Sequence, residues 1–209
     1  MATNKNGYMG AFNGRLGTAV AYTWKGRQCL RTYNAHPKNP RTRDQQVSRA
    51  VFGTASRLAA DMADATGIGL RGIAAERNTS VHNVFVSLNR QCAVVEEYGV
   101  CVDYASLKVS DGGLAGVAFG ALHVGDDHEI GVNYDDSLGS GCCFDYVYLY
   151  AYVPSMGYGR LSMPSARSKG HVALVMPDYF RGREAHFYGF VWDHDAMASP
   201  SSYIGRTVL

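Results

Sequence analysis

The chain has 209 residues, and 46% of them are hydrophobic, which is enough to bury a sizeable core and excludes an intrinsically disordered chain. It has no run of about 18 apolar residues and its first residues lack an apolar signal core, so we expect no membrane span and synthesis in the cytoplasm. The net charge of +2 hides an asymmetry, because residues 1–49 contain nine Lys or Arg and one acid, whereas the remainder carries −6. Opposite charges of this kind attract each other within one chain or between neighbouring copies.

Residues 7–33 predict a β-hairpin. Residues alternate in character from Thr18 to Trp24, Lys25-Gly26-Arg27 has the glycine that a tight turn needs, and residues 28–33 return as the second strand. A two-stranded ribbon is marginal in water by itself, so it must be covered by its own domain or by another subunit. The glycines before it, which lack the spacing of a phosphate-binding loop, indicate a flexible or closely packed backbone: Gly7, Gly10, Gly14 and Gly17.

A stiff basic arm leads into the first predicted helix. Pro37 and Pro40 hold residues 34–41 extended, because each proline also keeps its predecessor out of the helical region. Thr42 and Gln45 form a capping-box pattern that predicts a helix start, and an apolar stripe with helical spacing follows until a pair of glycines. The stripe consists of Val47, Val51, Ala55, Leu58 and Met62, and the glycines are Gly67 and Gly69.

A second helix is predicted to open at one of the polar residues 78–80 and to end at Gly99. Its helically spaced apolar positions are Val81, Val84, Phe85, Leu88, Cys92 and Val95. Two helices joined by a short connection should pack antiparallel, so residues 42–101 are predicted to form a two-helix segment.

The remaining chain, residues 102–209, is predicted to be β throughout. Short strands separated by Gly, Asp and Pro match an immunoglobulin- or fibronectin-like sandwich, with a jelly-roll fragment as the alternative. The clearest strand is DYVYLYAYV at 145–153, where apolar residues form one buried face and four tyrosines a second, amphipathic face. The predicted strands are 104–109, 114–124, 129–134, 146–153, 171–176, 185–193 and 203–208. With a hairpin and arm at 1–41 and helices at 42–101, the expected fold class is α+β, mostly β.

Several short motifs run through nearly the whole chain: Asn39-Pro40-Arg41-Thr42, Gln45, Arg49, Phe52, Asn83, Phe85, Asn89, Pro177, Gly182, Ser202 and Tyr203. In this order they resemble an uncharacterised family, a domain of unknown function in small proteins of gut-type, Bacteroidota-like bacteria and their phages. The resemblance implies an N-terminal hairpin and a C-terminal immunoglobulin-like domain. It implies no activity, cofactor or catalytic residue.

The sequence contains no recognisable enzyme signature. The stretches HVGDDHE at 123–129 and WDHDAM at 192–197 combine histidine with carboxylates, but they are typical of solvated turns and lack the spacing of a zinc or EF-hand site. No nucleophile elbow occurs, and the five cysteines, without a C-x-x-C pair, are expected to be reduced packing residues. We therefore expect no catalysis, no metal and no cofactor.

The charge asymmetry predicts that the basic N-terminal part docks on acidic loops of another copy, because the planar arginine fork suits carboxylates. Nucleic acid is a less favoured partner, because no known nucleic-acid-binding motif is present, and a merely solvated face is the third interpretation. The predicted subunit-interface residues are Tyr22, Trp24, Arg27, Arg31, Pro40, Arg41 and Arg43 on the docking side and Asp126, Asp127, Asp135 and Asp136 on the accepting side.

These features predict a non-enzymatic structural protein that self-assembles into a ring or filament through its hairpin and arm. A phage virion or tail-like component, or a bacterial filament subunit, fits this expectation, with further copies and other virion or filament proteins as partners. The alternative function is a β-sandwich module that binds glycan or protein, with the tyrosines of 145–153 as a stacking platform. A structural interpretation of those tyrosines, as the second face of the sandwich or a subunit interface, is the one we favour.

Overall fold

The computed structural model describes residues 10–97, 99–125, 129–136, 142–195 and 197–209, and the backbone of residues 3–4. It contains two compact units, Met1–Arg43 and Asp44–Leu209. The fold is α+β and mostly β, as predicted, with an N-terminal sheet, four helices and several antiparallel sheets in the C-terminal half.

The first unit is an antiparallel sheet. Its strands, in their spatial order, are β1 (Thr3–Asn4), β2 (Phe12–Leu16), β3 (Ala19–Trp24) and β4 (Arg27–Thr32). The predicted hairpin is confirmed, and both residues of its turn have positive φ angles, 43° at Lys25 and 76° at Gly26, as a type I′ turn requires. The sequence did not predict β2, which pairs with β3 across a second turn where Gly17 has a φ of 59°.

Four helices follow the sheet: α1 (Arg43–Asp61), α2 (Ala63–Gly69), α3 (Arg71–Glu76) and α4 (Val81–Asn89). The first begins directly after Thr42, where the capping pattern predicts it, but the predicted helix is interrupted at Met62. The last begins after Ser80, whose hydroxyl accepts a hydrogen bond from the backbone N–H of Asn83 at 3.2 Å. The helical segment is therefore present where the sequence predicts it, but in four pieces rather than two.

The second predicted helix ends well before Gly99. The side-chain amide of Asn89 donates to the carbonyl oxygens of Phe85 and Lys108 at 3.0 and 2.9 Å, and its oxygen accepts from the backbone N–H of Lys108 at 2.7 Å. These bonds hold the helix end against a distant loop, and the β-branched residues that follow enter a strand instead. That strand, β5 (Ala93–Glu96), pairs with β6 (Gly99–Val102) in a separate hairpin.

The C-terminal half forms two larger antiparallel sheets. Their strands are β7 (Ala118–Val124), β8 (Glu129–Asp135), β9 (Tyr146–Val153), β10 (Tyr158–Leu161), β11 (Ser165–Ala166), β12 (His171–Val175), β13 (Glu184–Trp192) and β14 (Ser202–Val208). One sheet has the order β10-β9-β13-β14, with β11 beside β9, and the other has the order β12-β8-β7. Residues 104–109 do not form the predicted strand, because the chain makes a 3-10 turn at Tyr104–Ser106. The other six predicted strands are present, β9 with the predicted ends and the other five with shifted ends, and the likeness to an immunoglobulin domain stays a prediction.

Both faces of β9 are buried, which places this strand at the centre of three layers. Its four apolar residues share one core with the three-stranded sheet: Val147, Leu149, Ala151 and Val153. Its tyrosines share a second core with the helices, which cover the outer face of the larger sheet. The prediction of an amphipathic tyrosine face was wrong, because Tyr148, Tyr150 and Tyr152 are only 7%, 0% and 2% exposed. These rings therefore offer no stacking platform for a glycan.

Candidate interaction surfaces

One face of the N-terminal sheet combines aromatic and arginine side chains. Strand register places Trp24 opposite Arg27 and Tyr22 opposite Cys29, and directly opposite residues share a face. We name this surface the aromatic–arginine face, formed by Arg15, Val20, Tyr22, Trp24, Arg27, Cys29 and Arg31. The structure thus brings four predicted interface residues together, and Tyr22 and Trp24 are 43% and 47% exposed.

The opposite face of this sheet is mixed in character, with apolar Leu16, Ala19, Ala21 and Leu30 beside polar Thr23, Gln28 and Thr32. Of the side chains that the structure describes in Met1–Arg43, Ala21 alone is buried, whereas Leu30 is 70% exposed. Burying one alanine does not offset the conformational entropy of ordering four strands. This unit therefore needs a further surface for its stability.

The predicted arm residues lie between β4 and α1. Pro40 belongs to an exposed segment without regular structure, which also contains Pro37 and Lys38. Arg41 has a left-handed φ of 51°, which is uncommon for a residue with a side chain, and Arg43 is the first residue of α1. The structure thus keeps these three predicted residues exposed and adjacent in the chain.

The predicted acidic partners differ from one another in their surroundings. Asp135 is the exposed last residue of β8. Asp136 accepts a hydrogen bond from the guanidinium of Arg167 and so has a partner within its own unit. Asp126 and Asp127 lie outside the described residues. The role of these four carboxylates in an interface stays a prediction, and for Asp136 it competes with an existing ion pair.

The side chain of Arg167 is fully buried, so its guanidinium requires partners such as the Asp136 carboxylate. The guanidinium donates to the carbonyl oxygens of Ala115 and Gly116 at 2.8 and 3.0 Å, and to the carboxylate of Asp145 at 3.4 Å. A buried charge is tolerated only when it is paired and hydrogen-bonded, as it is here. Arg167 therefore joins three loops of the sandwich, and this role is structural.

A cleft of about 580 Å³ lies where β13 and β14 meet the turn at Tyr104–Ser106. The ring of His186 stacks on that of Tyr104 with centroids 4.5 Å apart, and its Nδ1 lies 3.0 Å from the hydroxyl oxygen of Tyr203. At the rim, Nη1 of Arg206 donates to a carboxylate oxygen of Glu184 at 3.1 Å. These side chains are fixed by one another rather than by a bound group.

Burial sets the protonation of the cleft. It lowers the pKa of His186, an effect that the Glu184 carboxylate opposes and the Arg206 guanidinium reinforces. Burial also raises the pKa of the Tyr104 and Tyr203 phenols. At neutral pH the cleft therefore presents a neutral imidazole and neutral hydroxyls, with its charge confined to the carboxylates and Arg206 at the rim.

A second cleft of about 510 Å³ adjoins the first and shares Val102, Tyr104 and Pro154 with it. It extends to α1, where the hydroxyl of Tyr152 donates to Asp61 at 3.1 Å. We name the two clefts together the tyrosine groove, whose lining residues include Arg57, Asp61, Val102, Asp103, Tyr104, Tyr152, Pro154, Glu184, His186, Tyr203 and Arg206. Sequence reasoning missed this groove, because its residues come from distant segments and form no local motif. The only local signal is the two-residue step from Glu184 to His186, which puts both on one face of a strand.

Among the described residues, three other kinds of feature bear on known types of site: possible metal ligands, cysteines and long apolar helices. Within the described ranges, no group of three or more His, Cys, Asp or Glu side chains is arranged to hold a metal ion. His194 packs edge-on against Tyr146 with centroids 4.9 Å apart, and all five cysteines are free thiols. No helix among the described residues is long and apolar enough to cross a membrane.

The whole-chain sequence pattern identifies the family. A model of a family of unknown function, DUF6266, matches residues 11–205. The chain belongs to the DUF6266 family. The match spans the N-terminal sheet, the helices and the sandwich, so both units are part of the DUF6266 pattern. No curated protein matches the sequence.

Proposed function

We propose that this DUF6266 protein is a non-enzymatic structural protein that self-assembles through the aromatic–arginine face and the adjoining arm. The observation that carries the proposal is the composition of Met1–Arg43, which exposes Tyr22, Trp24 and three arginines and buries one described side chain. Tyrosine, tryptophan and arginine dominate the energetics of protein interfaces. A unit of this composition gains its missing burial by docking on another molecule.

The assembly proposed is head-to-tail, because the docking surface and the accepting surface are different parts of the chain. Such contacts close into a ring when the rotation per subunit permits and otherwise extend as a filament. The charge imbalance, +8 in residues 1–49 against −6 in the remainder, favours contact between unlike parts of two copies. A phage virion or tail-like component, or a filament of a Bacteroidota-like bacterium, is the setting we propose, in line with the motif resemblance.

The proposal is tested by light scattering after size-exclusion chromatography, over a range of concentrations of the full chain. We expect large species that disappear in the double variant Tyr22→Ser, Trp24→Ser. Leu30→Ser is the matched control, because Leu30 is exposed on the opposite face of the same sheet. We also expect salt to weaken assembly, since exposed ion pairs are screened within about 10 Å at 0.1 M.

Two results would contradict the proposal. One is a wild-type chain that stays monomeric at every concentration. The other is assembly that is lost in Leu30→Ser but kept in the double variant, which would assign the contact to the wrong face. Arginines beside aromatic rings also suit single-stranded nucleic acid. Oligonucleotide binding that depends on Trp24, with no protein assembly, would favour that partner instead.

A further inference from the structure

We infer that the tyrosine groove is the accepting surface, and that it binds the proline-marked arm, residues 34–41, of a second copy. This inference rests on the proposed self-assembly and adds the place where the arm docks. The groove consists of two connected clefts of about 580 and 510 Å³, each within the usual range of binding pockets. Because the clefts join at Tyr104 and Pro154, their shape suits an extended segment better than a compact molecule.

The arm has the properties of a preformed ligand. Pro37-Lys38-Asn39-Pro40 places two prolines three residues apart, which is one turn of a polyproline II helix and a spacing of about 9 Å. Both rings then project from the same side. Segments of this type bind grooves lined by aromatic side chains, and they lose little conformational entropy because the prolines already fix the backbone.

The groove offers the aromatic side chains that this ligand requires. Tyr104 and Tyr203 are half-buried, so part of each ring faces the cleft, and Pro154 lies in both clefts. The ring of Tyr104 is held in place by its stack on His186, and the hydroxyl of Tyr203 by the nitrogen of His186. A wall that is already ordered in this way needs no rearrangement when the prolines enter.

The formal charge of the groove favours a basic occupant. Its lining has three carboxylates, Asp61, Asp103 and Glu184, against two guanidinium groups, Arg57 and Arg206, and the arm carries Lys38 and Arg41. Asp103 is exposed, and hydrogen bonds from the Ser106 hydroxyl and from backbone amides lower its pKa, so it is ionised at neutral pH. Lys38 of the arm can pair with Asp103, whereas Glu184 already binds Arg206.

The test uses a fluorescent peptide of residues 34–43 and the full chain carrying Pro37→Ala and Pro40→Ala, which weakens its own arm. We expect the peptide to bind this protein. When Tyr104→Ser or Glu184→Lys is added, the affinity for the peptide should fall by about tenfold or more. The second variant changes an exposed side chain and keeps the test valid if the first disturbs folding. Tyr179→Ser and Glu129→Lys are matched exposed controls outside the groove and should leave binding unchanged.

Equal binding to the groove and control variants would overturn the inference, as would a peptide with alanines at 37 and 40 that binds as well as the natural one. Peptide binding that appears only when the chain's own arm is mutated, with a monomeric wild type, would place the arm on its own molecule and also overturn it. Failure of peptide binding with assembly still dependent on Trp24 would reject the groove and keep the proposed function. In the supporting case, mixing the arm variant with Glu184→Lys should give pairs of chains, since each variant retains one intact surface.

Discussion

Replacement of two neighbouring tyrosines by phenylalanine should change stability in opposite directions. Tyr150 and Tyr188 lie directly opposite each other on β9 and β13, and both are 0% exposed. The hydroxyl of Tyr188 donates to the carbonyl oxygen of Tyr104 at 2.7 Å. The hydroxyl of Tyr150 is buried beside Gly159 and makes no hydrogen bond with the described residues.

The magnitudes follow from this difference, because both substitutions keep the ring and remove one oxygen. Tyr188→Phe loses a hydrogen bond and should cost about 0.5–1.5 kcal/mol of unfolding free energy. Tyr150→Phe removes a buried group whose desolvation nothing compensates, and should stabilise the protein by about 1 kcal/mol. The two variants should therefore differ by about 2 kcal/mol, or several degrees in Tm for a domain of this size.

The measurement is urea unfolding followed by far-ultraviolet circular dichroism, with the slope of each transition compared between variants. Equal slopes make a shift in midpoint a direct measure of stability. A loss in Tyr150→Phe as large as that in Tyr188→Phe would refute the reasoning, because it would mean that the Tyr150 hydroxyl is well hydrogen-bonded in solution.

Three further outcomes are expected. Because the pKa of His186 is lowered in the folded protein, the contribution of its neutral imidazole to stability is complete above a pH of about 6.5 and is lost as the pH falls through the lowered pKa. In urea unfolding, the wild type should therefore lose more stability than His186→Phe between neutral and mildly acidic pH. Arg167→Leu strands the buried carboxylate of Asp145 and should cost about 3–5 kcal/mol, whereas Arg206→Leu, at a site that is 69% exposed, should cost about 1 kcal/mol or less by the same measurement. In a Trp192→Phe background, the emission of Trp24 should move to shorter wavelength as the protein is concentrated, and an unchanged spectrum during assembly would argue against burial of the aromatic–arginine face.

Local signals in the sequence predicted the local structure well. The Lys25-Gly26 turn and the Ser80 cap are set by backbone conformation and by one hydrogen bond, and the sequence shows both. The break at Met62 leaves no such signal, because Met62 is itself a member of the apolar stripe and the first glycine follows only at Gly67. The end of α4 depends on Lys108, which bonds to Asn89 from a distant loop, and periodicity cannot report a partner so far along the chain.

The surfaces were less predictable than the elements. Alternation along β3 alone places Tyr22 and Trp24 on a common face. The pairing register of β3 with β4 then places Arg27 and Arg31 on the same face. The tyrosines of β9 are predicted to form an amphipathic face because a phenol is compatible with both solvent and a protein core. Whether they are exposed or buried depends on the helices that cover them, which the strand pattern does not show. The tyrosine groove required tertiary structure, since Tyr104, His186 and Tyr203 meet only when the 3-10 turn packs beside β13 and β14.

The β9 tyrosines that pack beneath the helices restrict where the molecule can be divided for experiments. A truncation that starts at residue 102 would strip away α1–α4 and leave Tyr148, Tyr150, Tyr152 and Phe190 as one contiguous apolar sheet surface. Such a fragment should self-associate through this newly exposed apolar surface. Any glycan or protein that it bound would then reflect the truncation and not the intact protein. Removing the leading residues up to Arg43 instead respects the division between the two compact units and spares the interior of the larger one.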